Sequence, residues 1–256
     1  MSRTLIIPAA GAGTRLGSAL PKLLVPVAGQ PMIDRLLTLH APFVEWFVVV
    51  VAPSAEAQVR QHLARRAERI TFALQGEPSG MLDAILLARP EVLRSRAKTV
   101  WITWCDQVAV RKETLDRLAG QERQRPEAAL LLPTVQRETP YIHFERDAAG
   151  EIVRVLQRRE GDTMPAEGEA DLGLFGLSRA AYLELLPRFA ATLDRGTGTG
   201  ERNFLPFISW LQGRGVVRSV PATHWLESVG VNTPEELALV EAQLSADAPP
   251  GRQPLR

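Results

Sequence analysis

Short apolar runs alternate with amphipathic segments through the first half of the chain. The apolar runs are continuous and rich in β-branched residues, which is typical of strands buried on both faces. They cover residues 4–9, 46–53, 70–74, 99–104 and 128–134. Between them, apolar residues recur every three or four positions, as they do in helices, at 32–40, 55–68, 81–88 and 112–121. This alternation predicts an α/β fold, a mostly parallel sheet covered by helices, with ligands at the carboxyl ends of the strands.

The pattern changes after about residue 135. Residues 141–157 predict two strands around an Ala-Gly turn, and the polar stretch 161–169 predicts a loop. Gly and Thr alternate from Gly196 to Gly200, which predicts a flexible lid. The other elements expected in this half are strands at 171–177, 216–220 and 223–229 and helices at 179–187, 203–213 and 234–244.

Composition limits the class of protein. The chain has 256 residues, 45% apolar and 23% charged, so it can bury a substantial core. A net charge of +1 gives no bulk attraction for nucleic acid or an anionic membrane surface. No apolar run approaches the roughly 20 residues of a membrane-spanning helix, and the N-terminus lacks a signal-peptide layout. We therefore expect a cytoplasmic protein with neither nucleic-acid nor membrane partners, and we expect its single cysteine, Cys105, to pack in the core.

Three glycines follow the first apolar run, in the stretch from Pro8 to Lys22, PAAGAGTRLGSALPK. Their spacing fits neither a Walker A loop nor a dinucleotide-binding fingerprint. The exposed backbone N–H groups of such a loop can bind an anion at the mouth of the sheet, and Arg15 and Lys22 would add positive charge. An ordinary glycine-rich turn between a strand and a helix is the alternative interpretation.

The longer stretch 9–34, AAGAGTRLGSALPKLLVPVAGQPMID, resembles the signature of the sugar-1-phosphate nucleotidylyltransferases. It is most similar to the uridylyltransferase domain of N-acetylglucosamine-1-phosphate uridylyltransferases. The resemblance implies a Rossmann-like, glycosyltransferase-A-type mixed sheet with a smaller β-rich acceptor-binding region. It implies that the loop holds the triphosphate of a nucleoside triphosphate (NTP), with Arg15 and Lys22 as catalytic contacts to the phosphates. The other nucleotide contacts that it implies here are Ala10, Gly11, Gly13 and Thr14.

On this resemblance we expect a single nucleotidyltransferase domain over residues 1–245. Residues 1–135 would form the NTP-binding half, and residues 136–232 would bind the acceptor and complete the metal site. Residues 246–256 are expected to be a flexible tail. The oligomeric state is not predicted.

Transfer of a nucleotide requires neutralisation of phosphate charge, normally by Mg²⁺ on a few protein oxygens. Asp106 follows the fourth predicted strand, where a ligand to Mg²⁺ is expected, although it could instead cap a turn. The segment Gly-Val-Asn at 230–232 resembles the family's terminal motif, which implies that Asn232 is the second metal ligand. Asn232 also precedes a possible helix cap at Thr233. Glu227 is a nearby rival for the metal.

For the base, the resemblance implies contacts from Gln75 and Gly80, with Ala84 in the same spacing. A glutamine amide can pair with the edge of a pyrimidine. The family's usual Gly-Thr-Gly is replaced at 80–82, so the identity of the base stays open, and Gln75 could be a mere loop residue.

The acceptor pocket is where the sequence departs from the family. Each change falls on a residue that the resemblance assigns to the sugar phosphate, so we expect an acceptor other than N-acetylglucosamine 1-phosphate. Any one of these side chains could be structural. The candidate acceptor contacts are Tyr141, His143, Gln157, Arg159 and Asp171.

The sequence therefore predicts a Mg²⁺-dependent nucleotidyltransferase that joins an NTP to a small phosphorylated acceptor, a sugar 1-phosphate in the first instance. Pyrophosphate would leave and a nucleotide-diphospho-sugar would form without a covalent enzyme intermediate. Two alternatives stay open. One is a cytidylyl- or other nucleotidylyltransferase acting on a non-sugar phosphate or phosphonate, and the other is a non-catalytic nucleotide-binding relative.

Overall fold

The computed structural model describes residues 2–11 and 13–246. The strands are β1 (Arg3–Pro8), β2 (Pro26–Val27), β3 (Gln30–Pro31), β4 (Trp46–Val51), β5 (Ile70–Leu74), β6 (Thr99–Thr103), β7 (Ala128–Glu138), β8 (Ile142–Arg146), β9 (Ile152–Gln157), β10 (Glu167–Asp171), β11 (Leu174–Ser178) and β12 (Val216–Pro221). The α-helices are α1 (Met32–His40), α2 (Pro53–Leu63), α3 (Met81–Leu87), α4 (Arg89–Ser95), α5 (Lys112–Gln124), α6 (Leu186–Ala190), α7 (Pro206–Trp210) and α8 (Pro234–Ala246).

An eight-stranded mixed sheet forms the centre of the molecule. Strands β5, β4, β1 and β6 lie side by side and run parallel. Strand β11 then pairs antiparallel with β6 and with β7, and β12 pairs parallel with β7. The far half of β7 pairs antiparallel with β10. This arrangement confirms the predicted α/β architecture.

Both faces of the sheet are buried, because consecutive residues of a strand point to opposite faces. In β1, Leu5 and Ile7 pack into one hydrophobic core with α1, α2 and α5. Ile6, between them, packs into the core on the other face with α3, α6 and α7. The continuous apolar pattern of β1, β4 and β6 therefore reflects helices on both sides of the sheet.

Two expectations about local structure are wrong. Within the loop predicted at 161–169, β10 begins at Glu167, and its polar sequence is held as a strand by the ladder to β7. The strand predicted at 223–229 is a 3₁₀ helix, Trp225–Ser228, which is capped by the side chains of His224 and Glu227. In both places hydrogen bonds to other parts of the fold outweigh the local pattern.

Two helices differ in form from their prediction. The helix expected at 179–187 is a π-helical turn, Ala181–Leu185, followed by α6, in a segment where Pro187 has no N–H to donate. The helix expected at 203–213 is reduced to α7. Helix α8 continues to Ala246, and the rest of the tail predicted at 246–256 lies outside the described residues.

Over residues 2–11 and 13–246, the helices are all too short or too polar to cross a membrane.

Candidate active site

One ammonium group joins distant parts of the chain. Nζ of Lys22 lies 2.5 Å from Oδ2 of Asp106 and 2.7 Å from Oδ1 of Asn232. Nη2 of Arg15 donates to the same Asn232 oxygen at 3.1 Å. The structure therefore brings together the four residues predicted from three separate motifs.

The carboxyl end of β6 and the N-terminus of α8 place the two candidate oxygen ligands, Asp106 and Asn232. Asp106 comes three residues after the end of β6, and its backbone carbonyl accepts a hydrogen bond from the N–H of Val231 at 3.1 Å. A Cβ on Gly230 would lie 3.1 Å from Oδ1 of Asp106, so the glycine permits this close approach. The two segments are thus held in contact by their backbones as well as by Lys22.

The helix cap predicted at Thr233 is present beside Asn232. Oε2 of Glu236 accepts hydrogen bonds from the N–H groups of Asn232 at 2.8 Å and Thr233 at 3.0 Å. Oγ1 of Thr233 accepts a hydrogen bond from the N–H of Glu236 at 3.3 Å. The cap thus uses the backbone of Asn232 and leaves its side-chain oxygen to Lys22 and Arg15, so the capping and ligand interpretations are compatible.

The glycine-rich loop packs directly on Lys22. Gly13 has a φ of +60°, and a Cβ there would lie 2.8 Å from Cβ of Lys22, so only glycine fits without displacement. Gly11 is exposed and Ala10 is half-buried. Thr14 begins a 3₁₀ turn that contains Arg15. The loop thus lies next to the ammonium that contacts Asp106 and Asn232.

Burial and neighbouring charges shift the pKa values of Lys22 and Cys105. Burial alone would lower the pKa of Lys22, but the Asp106 carboxylate outweighs it and holds that pKa above its usual value. Burial raises the pKa of the neighbouring Cys105 thiol to about 12, so Cys105 stays protonated near neutral pH. Lys22 is thus a permanent cation, and Cys105 is buried in the core as predicted.

The donor set fits a divalent cation. A carboxylate oxygen and an amide oxygen already converge on one cation, the ammonium of Lys22. Mg²⁺ binds hard oxygen ligands and usually takes the rest of its coordination from water and substrate phosphates, so two protein ligands suffice. In the part of the chain that the structure describes, His, Cys, Asp and Glu do not form a cluster of three or more suited to a metal.

Glu227 has a different environment from Asp106. Its side chain is fully buried, and Oε1 accepts from the N–H groups of Thr223 and His224, both at 2.9 Å, and from the Thr223 hydroxyl at 2.6 Å. Oε2 accepts from the N–H of Arg111 at 2.9 Å. With both oxygens engaged, Glu227 braces the segment that leads to Asn232.

The residues predicted to contact the base, Gln75 and Gly80, lie between the end of β5 and the start of α3. Nε2 of Gln75 donates to the carbonyl of Gly80 at 3.1 Å, and Gln75 lines an open cavity of about 380 Å³. A Cβ on Gly80 would lie 2.5 Å from the backbone nitrogen of Arg202, so this glycine is required by the close approach of another segment. Ala84 is buried in α3. The base contacts of Gln75 and Gly80 stay predictions.

The loop from Gly196 to Gly200, predicted as a flexible lid, is hydrogen-bonded to the carboxylate of Glu160. Glu160 accepts hydrogen bonds from the N–H of Gly198 at 2.9 Å, from the hydroxyl of Thr199 at 2.6 Å and from the Asn203 amide at 2.7 Å. A Cβ on Gly196 would lie 2.5 Å from the same carboxylate. The alternation of Gly and Thr here therefore serves to wrap Glu160, a contact that the sequence pattern did not reveal.

The predicted acceptor contacts do not form one cluster. Tyr141 is 41% exposed and Arg159 is exposed, whereas Gln157 is buried at the end of the β8–β9 hairpin. The His143 ring lies against Gly168, with Nδ1 3.2 Å from the carbonyl of Glu169. Asp171, which is 7% exposed, is the member of this set for which the charge of Asp106 affects the pKa.

Asp171 is a buried acid next to the site. Burial raises its pKa from 3.8 to about 6, and the negative charge of Asp106 adds to the increase. One carboxylate oxygen accepts a hydrogen bond from the N–H of Gly173 at 2.8 Å. Asp171 thus titrates much closer to neutral pH than an ordinary aspartate.

Arg137 is a site residue that the sequence analysis missed. Its guanidinium donates a hydrogen bond to the hydroxyl of Ser228 at 3.2 Å. Ser228 comes two residues before Gly230 in the chain. Burial lowers the pKa of Arg137, and the positive charge of Arg158 lowers it further.

Comparison with known proteins identifies the family of this chain. A family model described as MobA-like NTP transferase domain matches residues 5–170. The Bifunctional protein GlmU of Pseudomonas entomophila (strain L48) is 30% identical over 243 residues, which are 94% of this chain and 51% of that protein. The Bifunctional protein GlmU of Cupriavidus metallidurans is 33% identical over 244 residues, 93% of this chain and 51% of that protein. The chain spans about half the length of the curated relatives it matches.

Glu227→Gln should lower the free energy of unfolding by about 1–3 kcal/mol, because the new amide cannot accept at both ends and leaves a buried N–H unpaired. Chemical denaturation measures the change, with Glu113→Gln on the exposed face of α5 as the matched control. A variant as stable as the control would contradict the bracing role.

Asp171→Asn should stabilise the protein in a pH-dependent way. Since the pKa of Asp171 is raised to about 6 in the folded state, ionisation of Asp171 costs stability as the pH rises from about 4 to above 6. The gain from the substitution should reach up to about 3 kcal/mol near pH 8 and vanish below pH 4. Urea denaturation at both pH values tests this, with exposed Asp194→Asn as the control. An equal effect at the two pH values would exclude titration as the cause.

Proposed function

Because the chain belongs to the family of MobA-like NTP transferase domains, we propose that it is a Mg²⁺-dependent enzyme that joins an NTP to a sugar 1-phosphate. The products are a nucleotide-diphospho-sugar and pyrophosphate. The observation that carries the proposal is the convergence of Lys22, Asp106 and Asn232 beside the glycine-rich loop. We propose the cytoplasm as its location, since NTPs and sugar phosphates are metabolites of that compartment.

Positioning and charge neutralisation account for catalysis. An oxygen of the acceptor phosphate forms a bond to the α-phosphorus of the NTP, and the bond from that phosphorus to the bridging oxygen of pyrophosphate breaks. The acceptor phosphate is already an anion, so the reaction needs neither a general base nor a covalent intermediate. Lys22 and Arg15 donate hydrogen bonds to phosphate oxygens and stabilise the charge that shifts to pyrophosphate.

Asp106 and Asn232 would hold Mg²⁺ by the two oxygens that now face the Lys22 ammonium. When bound, Mg²⁺ supplies charge neutralisation and orientation of the phosphates. The backbone cap at Asn232 and the close packing at Gly230 keep these oxygens in place. The chain thus supplies a preorganised pair of ligands.

The remaining contacts divide between the two proposed halves of a domain at 1–245. The backbone of Ala10, Gly11, Gly13 and Thr14 would bind the triphosphate, and Gln75 and Gly80 would read the base. Residues 136–232 would bind the acceptor through Tyr141, His143, Gln157, Arg159 and Asp171. Of these residues, Tyr141 is exposed and available to a ligand, whereas Asp171 is buried beside Asp106.

A non-sugar phosphate or phosphonate acceptor is the second candidate. It is favoured by Asp171, a buried acid where the resembling enzymes have an asparagine for the sugar. A non-catalytic role is disfavoured, because the ligand pair and its lysine are retained in contact.

Lys22→Ala should lower the rate of pyrophosphate release about 100-fold or more, because it removes a cation from the phosphates in the transition state. The assay covers a panel of NTPs and phosphorylated acceptors. Lys112→Ala, an exposed lysine paired with Asp116 on α5, is the control and should retain full activity. Normal turnover by Lys22→Ala would refute the assignment of the loop.

Asp106→Asn should raise the Mg²⁺ concentration needed for half-maximal pyrophosphate release by about tenfold or more, because a neutral amide is a weaker ligand than a carboxylate. Chelation of divalent cations should abolish the wild-type activity, and added Mg²⁺ should restore it. An unchanged Mg²⁺ dependence in the variant would place the cation elsewhere.

A further inference from the structure

Arg137 uses only part of its guanidinium group in hydrogen bonds to the protein. Nε donates to the carbonyl of Glu138 at 3.3 Å, and Nη1 donates to Ser228. Within the described residues, Nη2 makes no hydrogen bond. Arg137 is therefore held in place, and its Nη2 group remains available to donate to a ligand.

Arg158 lies next to the same turn. It begins the 3₁₀ helix that follows β9, and its guanidinium donates to the carbonyls of Thr139 at 3.3 Å and Pro140 at 3.1 Å. Its backbone N–H donates to the carbonyl of Tyr141 at 3.1 Å. Arg158 is thus anchored two and three residues along the chain from Arg137.

The two arginines repel each other. The positive charge of Arg158 lowers the pKa of Arg137, so the two groups lie within electrostatic range. Among the residues that the structure describes, neither forms an ion pair with a carboxylate within 4.0 Å. The charges of Glu236 and Asp171 both favour Arg137, but Glu236 accepts hydrogen bonds from the backbone of Asn232 and Thr233, and Asp171 accepts one from the backbone of Gly173. The two guanidinium groups therefore keep donors that are available to an anionic ligand.

This pair lies on the acceptor side of the site. Ser228, the partner of Arg137, precedes the Gly230–Asn232 segment that contacts Asp106. Asp171 senses the charges of both Arg137 and Asp106, so it lies within range of the arginine and the candidate metal ligand. An acceptor whose phosphate is at Asp106 could therefore extend to the arginines.

We propose that Arg137 and Arg158 bind a second anionic group of the acceptor, distinct from the phosphate that attacks the NTP. The ligand class is a sugar phosphate or similar acceptor that carries an additional carboxylate or phosphate. Guanidinium groups suit both, because their N–H groups match the oxygens of either anion. The inference rests on the proposed function for the position of the attacking phosphate. It also accounts for an acceptor pocket that departs from the pattern for a neutral sugar.

The proposal is tested by the binding of matched probes, which is measured in the absence of nucleotide and does not depend on turnover. The probes are glucose 1-phosphate, glucose 1,6-bisphosphate and glucuronic acid 1-phosphate, which differ at one carbon, and isothermal titration calorimetry gives the dissociation constants. At least one doubly anionic probe should bind the wild-type protein about tenfold more tightly than glucose 1-phosphate. The preferred probe identifies the second group as phosphate or carboxylate. Equal binding of all three would overturn the proposal.

Variants assign the effect to the arginines. Arg137→Gln combined with Arg158→Gln should abolish the preference for the doubly anionic probe and leave the affinity for glucose 1-phosphate unchanged. Arg158→Gln alone preserves the contact between Arg137 and Ser228, so it covers the case in which the double variant does not fold, and it should reduce the preference at least threefold. Arg154→Gln on β9, an exposed arginine paired with Asp162, is the control. Equal weakening of all three probes would show that the arginines hold the attacking phosphate or the fold.

Pyrophosphate release separates this inference from the proposed function. Selective binding that the variants abolish, without pyrophosphate release from any NTP, would support the anion site and refute the nucleotidyltransferase proposal. Pyrophosphate release without selective binding would support the nucleotidyltransferase proposal and refute the second anion site.

Discussion

The ammonium of Lys22, held between the Asp106 carboxylate and the Asn232 amide, is the interaction on which the site depends. It links the N-terminal loop, the carboxyl end of β6 and the start of α8. Burial opposes a charged lysine, and the Asp106 carboxylate compensates for it. This cation balances the charge of the Asp106 carboxylate and donates a hydrogen bond to the Asn232 amide oxygen. The same cation is well placed to meet a phosphate.

The sheet topology makes this convergence possible. Strands β1 and β6 are parallel neighbours, so the loops after them leave the same edge of the sheet. The antiparallel pairing of β11 brings Asp171 and Gly173 against the residues after β6, where Gly173 leaves room for Trp104. The Glu227 carboxylate then braces the segment that carries Asn232. Each site residue thus stands on an element fixed by main-chain bonds.

The segment around Glu160 is held mainly by hydrogen bonds to side chains rather than by strand pairing. Glu160 and the loop at Gly196–Gly200 form a network of hydrogen bonds, and Arg202 of the same segment contacts Asp83 of α3 at 2.5 Å. This network connects the region near the predicted base contacts with the β8–β9 hairpin. Close packing on Arg159 and Glu160 explains two glycines of the loop, Gly196 and Gly198.

The sequence by itself determined the α/β architecture and predicted which residues would meet as candidate ligands of phosphate and metal. Buried strands and amphipathic helices impose periods that can be read locally, and the motif around Gly11, Gly13, Arg15 and Lys22 is contiguous in the chain. Only the tertiary structure decided that Glu227 braces a loop, that Gly80 admits the backbone of Arg202 and that the guanidinium of Arg137 contacts Ser228. It also made a strand of 167–171 and a 3₁₀ helix of 225–228. The physical reason is the same in each case: these roles arise from hydrogen bonds and packing between residues far apart in the chain, which leave no periodic pattern in the local sequence.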